Sequence, residues 1–154
     1  MANQQPALEF KFSIKVSVDK PVFVGQSADQ GRRQLIPIID GLVEGVINGH
    51  LLSGGIDSQI IRPNGATEVS ARYGVKLDDG RSFYIQNDGI RTVPAEYVAE
   101  VLKGHIIDSD KVYFTTVPRF EIYDESLSWL TTNIFICQAK RLPDKVILNY
   151  YCVK

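Results

Sequence analysis

The chain has 154 residues, 44% of them hydrophobic, 23% charged and 10% aromatic, which suits a single globular domain with its own core. Seventeen Lys and Arg stand against eighteen Asp and Glu, a formal net charge of −1, with no basic tract of the kind that follows a nucleic-acid backbone. No apolar run approaches the roughly 20 residues of a spanning helix, and the opening "MANQQPALEF" has neither a basic nor an apolar leader region. A soluble cytoplasmic protein with no nucleic-acid or membrane partner is therefore expected.

Residues 1–7 read as a disordered N-terminal tail ahead of one domain over 8–154. In "LEFKFSIKVSV" (8–18), Leu8, Phe10, Phe12, Ile14, Val16 and Val18 share one face and Glu9, Lys11, Ser13, Lys15 and Ser17 the other, the period-two pattern of a half-buried strand. "DKPVFVGQSADQG" reads as a loop ending at Gly31. "RRQLIPIID" and "LVEGVINGHLL" are β-rich and hinged at Asp40-Gly41. "SGGIDS" is a turn, and two further strands meet at Pro63-Asn64-Gly65.

The following hairpin can be registered residue by residue. A loop of Asp78, Asp79 and Gly80 pairs Leu77 with Arg81, Val75 with Phe83, Tyr73 with Ile85 and Ala71 with Asn87. That sets apolar against apolar until Asn87 is reached. "PAEYVAEVLKG" is the one helix, about 94–103, with Val98, Val101 and Leu102 as its apolar stripe and Gly104 as its cap. Strands return at about 111–117, 130–140 and 145–153, and Pro118 marks a bulge or an edge where pairing stops. If "RLPD" (141–144) turns the last hairpin, Cys137 faces about Leu148 and Cys152 about Asn133, too far apart for a disulfide, so both read as buried thiols.

About nine or ten short antiparallel strands with one short α-helix make an all-β protein, and closing the sheet into a barrel removes its edges. The two cysteines and two histidines match no metal spacing. Phosphate-cradling loop, dinucleotide fingerprint and nucleophile elbow are all missing, so neither metal nor cofactor is expected.

The stretch "DGLVEGVINGHLLSGGIDSQIIRPNGATEVSARYGVKLDDG", followed by "FYIQNDGIR", "YFTTVPRFE" and "WLTTNIFICQAKR", resembles domain-of-unknown-function family 3237 in order and spacing, from about residue 8 to the C-terminus. The resemblance implies a small antiparallel β-barrel, often a homo-oligomer. Some relatives sit among natural-product pathway enzymes, which is compatible with cofactor-free cyclisation or addition chemistry.

The polar residues inside these motifs are Asp57, Arg72, Tyr73, Asn87, Arg91, Thr116, Arg119, Glu121, Trp129 and Asn133, several of them at strand ends where a barrel opens. Asn87 and Arg91 share the apolar face of their strand, either as a pocket floor orienting a carbonyl or carboxylate or as an amide tying two strands together. Asp57 follows a flexible "SGG", as a general base or as the closing residue of an Asx turn. Tyr73 reads as core. Trp129 stacks on a ligand or plugs the barrel end. Arg119 and Glu121 form a surface pair, or Glu121 serves as a second catalytic carboxylate. Arg72 lies on the charged face, while His50 and His105 fall in turns as surface residues.

Three readings follow. The first is a barrel that binds a small apolar or aromatic molecule at its mouth, with Tyr73, Asn87, Arg91, Thr116, Trp129 and Asn133 as contacts. The second is a cofactor-independent acid/base enzyme (hydration or alkoxylation, isomerisation or cyclisation) with Asp57 or Glu121 as base and Arg91 or Asn87 steadying negative charge. The third is an assembly protein whose apolar surface makes an oligomer.

Overall fold

A computed structural model of the chain describes residues 3–154, so the first two residues of the expected tail lie outside it. Ten strands occur among the described residues: β1 (Leu8–Val18), β2 (Val22–Ser27), β3 (Gly31–Gly45), β4 (Gly49–Leu51), β5 (Ile56–Ile61), β6 (Thr67–Leu77), β7 (Ser82–Thr92), β8 (Tyr113–Ile122), β9 (Phe135–Arg141) and β10 (Lys145–Val153). The sheet runs β1-β10-β9-β8-β7-β6-β4-β3, and pairing of β1 with β3 closes it into an eight-stranded antiparallel barrel. Two extra strands complete it. β5 pairs β3 and β6 beyond β4, and β2 pairs the first half of β3. Closure leaves no long open edge, as the strand count and short turns anticipate.

The hairpin of β6 and β7 has the expected register, with Ala71 opposite Asn87, Tyr73 opposite Ile85 and Val75 opposite Phe83. Other segments differ. β3 is one strand through Asp40 and Gly41, and Gly41 is a point of close approach, since a Cβ there would lie 2.8 Å from the Leu51 side chain. β2 falls inside the expected loop at 19–31. Its Val22, Phe23 and Val24 are exposed, so no buried face imprints an alternation on it.

The expected helix is a 3-10 turn at Ala95–Tyr97 followed by a short α-helix, α1 (Val98–Leu102), with Val101 buried. Residues 130–134, assigned to a strand from sequence, instead end and follow a 3-10 turn at Glu125–Leu130. In the last hairpin Cys137 faces Tyr150 and Cys152 faces Phe135, two residues from the expected register, because Leu142 and Lys145 already pair across the turn. The conclusion about the thiols stands, for both are free and buried.

Pro118 neither bulges nor resets β8. Phe114, Thr116 and Pro118 are buried on one face while Tyr113, Val117, Arg119 and Glu121 are exposed on the other, and pairing with β7 continues without a shift from Tyr113 to Ile122. On its other flank β8 meets β9 only at Thr115 and Thr116, so the proline stands where that ladder has already ended.

Inward side chains fill one end of the barrel. Phe12 stacks on Tyr150 at 4.5 Å between centroids, and Phe120, Phe135 and Trp129 pack around them with buried Leu127 and Leu130. The other end is open.

Candidate functional site

The open end is bordered by the turn at 19–21, the turn at 140–144 and the segment at 93–112 that carries α1. Between them lies a cavity of about 360 Å³ walled by Val18, Ile36, Ile61, Val101, Ile107 and Phe114. It narrows into an inner chamber of about 40 Å³ that reaches Asp57, Tyr73, Asn87 and Thr116. Arg91, Arg141 and Gln59 line both spaces, so the two adjoin around the same side chains.

Strand register explains why these residues converge. Opposed residues on neighbouring strands share a face, and one inward row reads Ile36, Asp57, Ala71, Asn87 and Pro118 across β3, β5, β6, β7 and β8. The next row reads Gln34, Gln59, Val69, Gly89, Thr116, Cys137 and Tyr150. The third carries Ile61, Thr67, Arg91 and Phe114 nearest the mouth.

Asp57 is held by two donors. Gln59 Nε2 donates to its Oδ2 at 2.7 Å and the Ser70 backbone N–H to its Oδ1 at 3.2 Å. Gln34 Nε2 in turn donates to Gln59 Oε1 at 3.0 Å, with both amides buried. Burial raises the Asp57 carboxyl above the ordinary carboxylate range, against the pull of Gln59, Arg91, Ser70 and Arg141. Burial likewise lowers the Arg91 guanidinium to about 10, and lowers Arg141.

Arg91 lies 5.4 Å over the Phe114 ring, and Nη1 of Arg141 is buried without a partner. Neither arginine forms an ion pair among the described residues. Two guanidinium groups thus face a single carboxylate in the inner part of the site.

The floor is a phenol pair. The hydroxyls of Tyr73 and Tyr150 share a hydrogen bond, and Asn87 Nδ2 reaches Tyr150 Oη at 3.5 Å. Asn87 is 3% exposed and Thr116 2%, yet Asn87 Oδ1 and Thr116 Oγ1 have no partner. Burial pushes the Cys137 thiol up to about 12, so it is no nucleophile at neutral pH.

The structure brings together Asp57, Tyr73, Asn87, Arg91 and Thr116 from the residues singled out by sequence. It does not bring the others. Glu121 is exposed on the outer face, where it accepts a hydrogen bond from Tyr123 Oη at 2.6 Å and forms no pair with Arg119. Trp129 packs at the filled end against Phe12 and Phe135, as a plug and away from the cavity. Asn133 is exposed and donates to the Trp129 carbonyl, closing the 3-10 turn. Asp57 closes no Asx turn; it is a strand residue facing inward. Arg72 is outward and exposed, and its guanidinium donates to Ser70 Oγ at 3.3 Å.

Gln34, Gln59, Arg141 and Tyr150 were missed. Parity would have found them: Arg141 continues the inward series Phe135, Cys137, Ala139, and Gln34 the series leading to Ile36 and Ile38. Among the described residues no three His, Cys, Asp or Glu side chains are grouped as metal ligands would be, and no helix is long and apolar enough to cross a membrane.

A family model described as "Protein of unknown function (DUF3237)" matches residues 6–153. A UPF0311 protein of Clostridium acetobutylicum is 53% identical over 141 residues, 91% of this chain and 89% of the relative. The crystal structure of a protein with unknown function from Clostridium acetobutylicum ATCC 824 is similar at TM-score 0.95 and 49% identity, covering 99% of this chain and 100% of that one. An enzyme from Penicillium herquei shares the fold at TM-score 0.76 and 18% identity, over 100% of this chain and 98% of its own.

Proposed function

The chain belongs to the DUF3237 family of proteins of unknown function, and on that premise we propose that its barrel binds a small, mostly apolar or aromatic molecule through the mouth. One observation carries this: an open cavity of about 360 Å³ with apolar walls adjoins a mainly apolar chamber at mid-barrel, where Asp57, Asn87, Arg91, Thr116 and Arg141 converge as its few polar groups. That volume is in the range of small-molecule sites, and convergent polar groups at the end of an apolar cleft are how such sites orient a ligand. The inner chamber alone holds no more than a few atoms, so the body of the ligand lies in the outer cavity. Calorimetric titration with aromatic probes of about ten to fifteen heavy atoms tests this. Saturable one-to-one binding, weakened when Val101 is enlarged to Trp, supports the reading; no binding by any probe at millimolar concentration ends it.

A second reading is favoured by the position of Asp57. A carboxylate with a raised pKa, sharing a chamber with Arg91 and Arg141, is arranged for general base catalysis. Asp57 would take a proton from carbon next to a carbonyl, the electron pair moving onto the carbonyl oxygen, where a guanidinium balances the charge. Deuterium incorporation into phenylacetone in D₂O, followed by NMR, is the test. Exchange above the buffer rate that disappears in Asp57→Asn supports it, and exchange at the buffer rate for both proteins rejects it.

A further inference from the structure

We infer that the ligand of this cavity is an organic monoanion, a small aromatic or alicyclic carboxylate whose head group lies between Arg91 and Arg141. The inference rests on the proposed binding function and adds the charge and chemical class of the occupant. Three observations carry it.

The first is charge. In the chamber and its neck the charged side chains are Asp57, Arg91 and Arg141, which leaves one positive charge uncompensated. The remaining charges on the outer cavity lie at the rim: Asp19 and Lys20 on one turn and Lys140 and Asp144 on the other offset each other, with Asp144 also acting on Arg141 from outside the chamber, and His105 is paired with Glu100. A second anion is therefore the missing complement, and one negative charge brings the interior to neutrality.

The second is hydrogen bonding. Asp57 is committed to Gln59 and Ser70, and Arg141 Nη1 is buried with no acceptor. A buried N–H group without an acceptor is costly, and a carboxylate accepts from two guanidinium forks with short, charge-assisted bonds. Arg91 is braced by the Phe114 face, which orients it without consuming its N–H groups.

The third is shape. Val18, Ile36, Ile107 and Phe114 surround the same arginines, so the anion must be carried on an apolar body. Inorganic phosphate satisfies the charge and leaves this wall unused.

The experiment compares 2-naphthoate with its uncharged isostere 2-naphthamide, and inorganic phosphate as competitor, by calorimetry on the folded chain. Naphthoate is expected to bind at least about ten-fold tighter than naphthamide, the difference that charge-assisted hydrogen bonds supply. Raising NaCl should weaken naphthoate and leave naphthamide unchanged. In Arg141→Met and Arg91→Met the preference should fall to about three-fold or less, and Arg141→Lys, which retains the charge and most of the packing, should be intermediate. Equal affinity for acid and amide overturns the anion inference while the binding function stands. Failure of both probes overturns both. Displacement of naphthoate by phosphate at equal concentration overturns the organic carboxylate in favour of an inorganic anion. If a methionine variant does not fold, the salt dependence and the lysine variant decide the matter.

Discussion

The phenol oxygens of Tyr73 and Tyr150 meet across the middle of the barrel, and that contact divides its filled half from its open half. Phe12 stacks beneath Tyr150, while Asn87 and the inner chamber lie above the pair. A barrel this small can be a solid core or a container. This one is each over part of its length.

The phenol pair gives a pH signature. Burial raises both phenols above the value near 10 of a free tyrosine. The stability they contribute as neutral groups is complete below about pH 10 and is lost as pH rises through their folded values. Ultraviolet difference absorbance should show tyrosine ionisation coinciding with alkaline unfolding, and Tyr73→Phe should cost about 1 kcal/mol at neutral pH for the lost hydrogen bond.

Replacing Arg91 by Met should stabilise the ligand-free protein. The guanidinium is buried over Phe114 without an ion pair, and a methionine keeps the apolar contact while removing the desolvated charge. A gain of roughly 1–3 kcal/mol in urea unfolding is expected, together with loss of most of the preference for carboxylate over amide. A destabilised variant would mean that Arg91 serves the fold more than the site.

Gly89 stands between Asn87 and Arg91, directly opposite Thr116. A Cβ there would lie 2.3 Å from the Thr115 carbonyl oxygen and 2.5 Å from Thr116 Cα, both backbone atoms that cannot turn aside. Gly89→Ala should cost about 1–3 kcal/mol and lower the melting temperature by several degrees.

Glu121→Gln should do neither. Its side chain is on the outer face, bound to Tyr123, so stability should change by less than about 0.5 kcal/mol. Binding of 2-naphthoate should be unaffected. A loss of binding would place the site on the wrong side of the wall.

The barrel was legible because closure follows from many short alternating strands, and the register of β6 and β7 because its turn has glycine at the required position. Asn87 and Arg91 were legible for the same reason, as polar residues on an apolar parity. β2 was not, since both of its faces are exposed and nothing forces an alternation. Arg141 was hidden by its place beside "LPD": it reads as turn, yet Ala139 and Cys137 before it set its parity inward. Trp129 and Asn133 were drawn into the site by motif order, but a 3-10 turn carries them to the filled end.

The most direct measurement is a map of backbone amide shifts as 2-naphthoate is titrated into the labelled protein. Binding through the mouth predicts saturable shifts concentrated at Val18, Gln59, Arg91, Thr116 and Arg141, with Trp129 and Asn133 at the filled end unmoved. Shifts confined to the exposed apolar strand at 22–24, or none at the mouth, would contradict it.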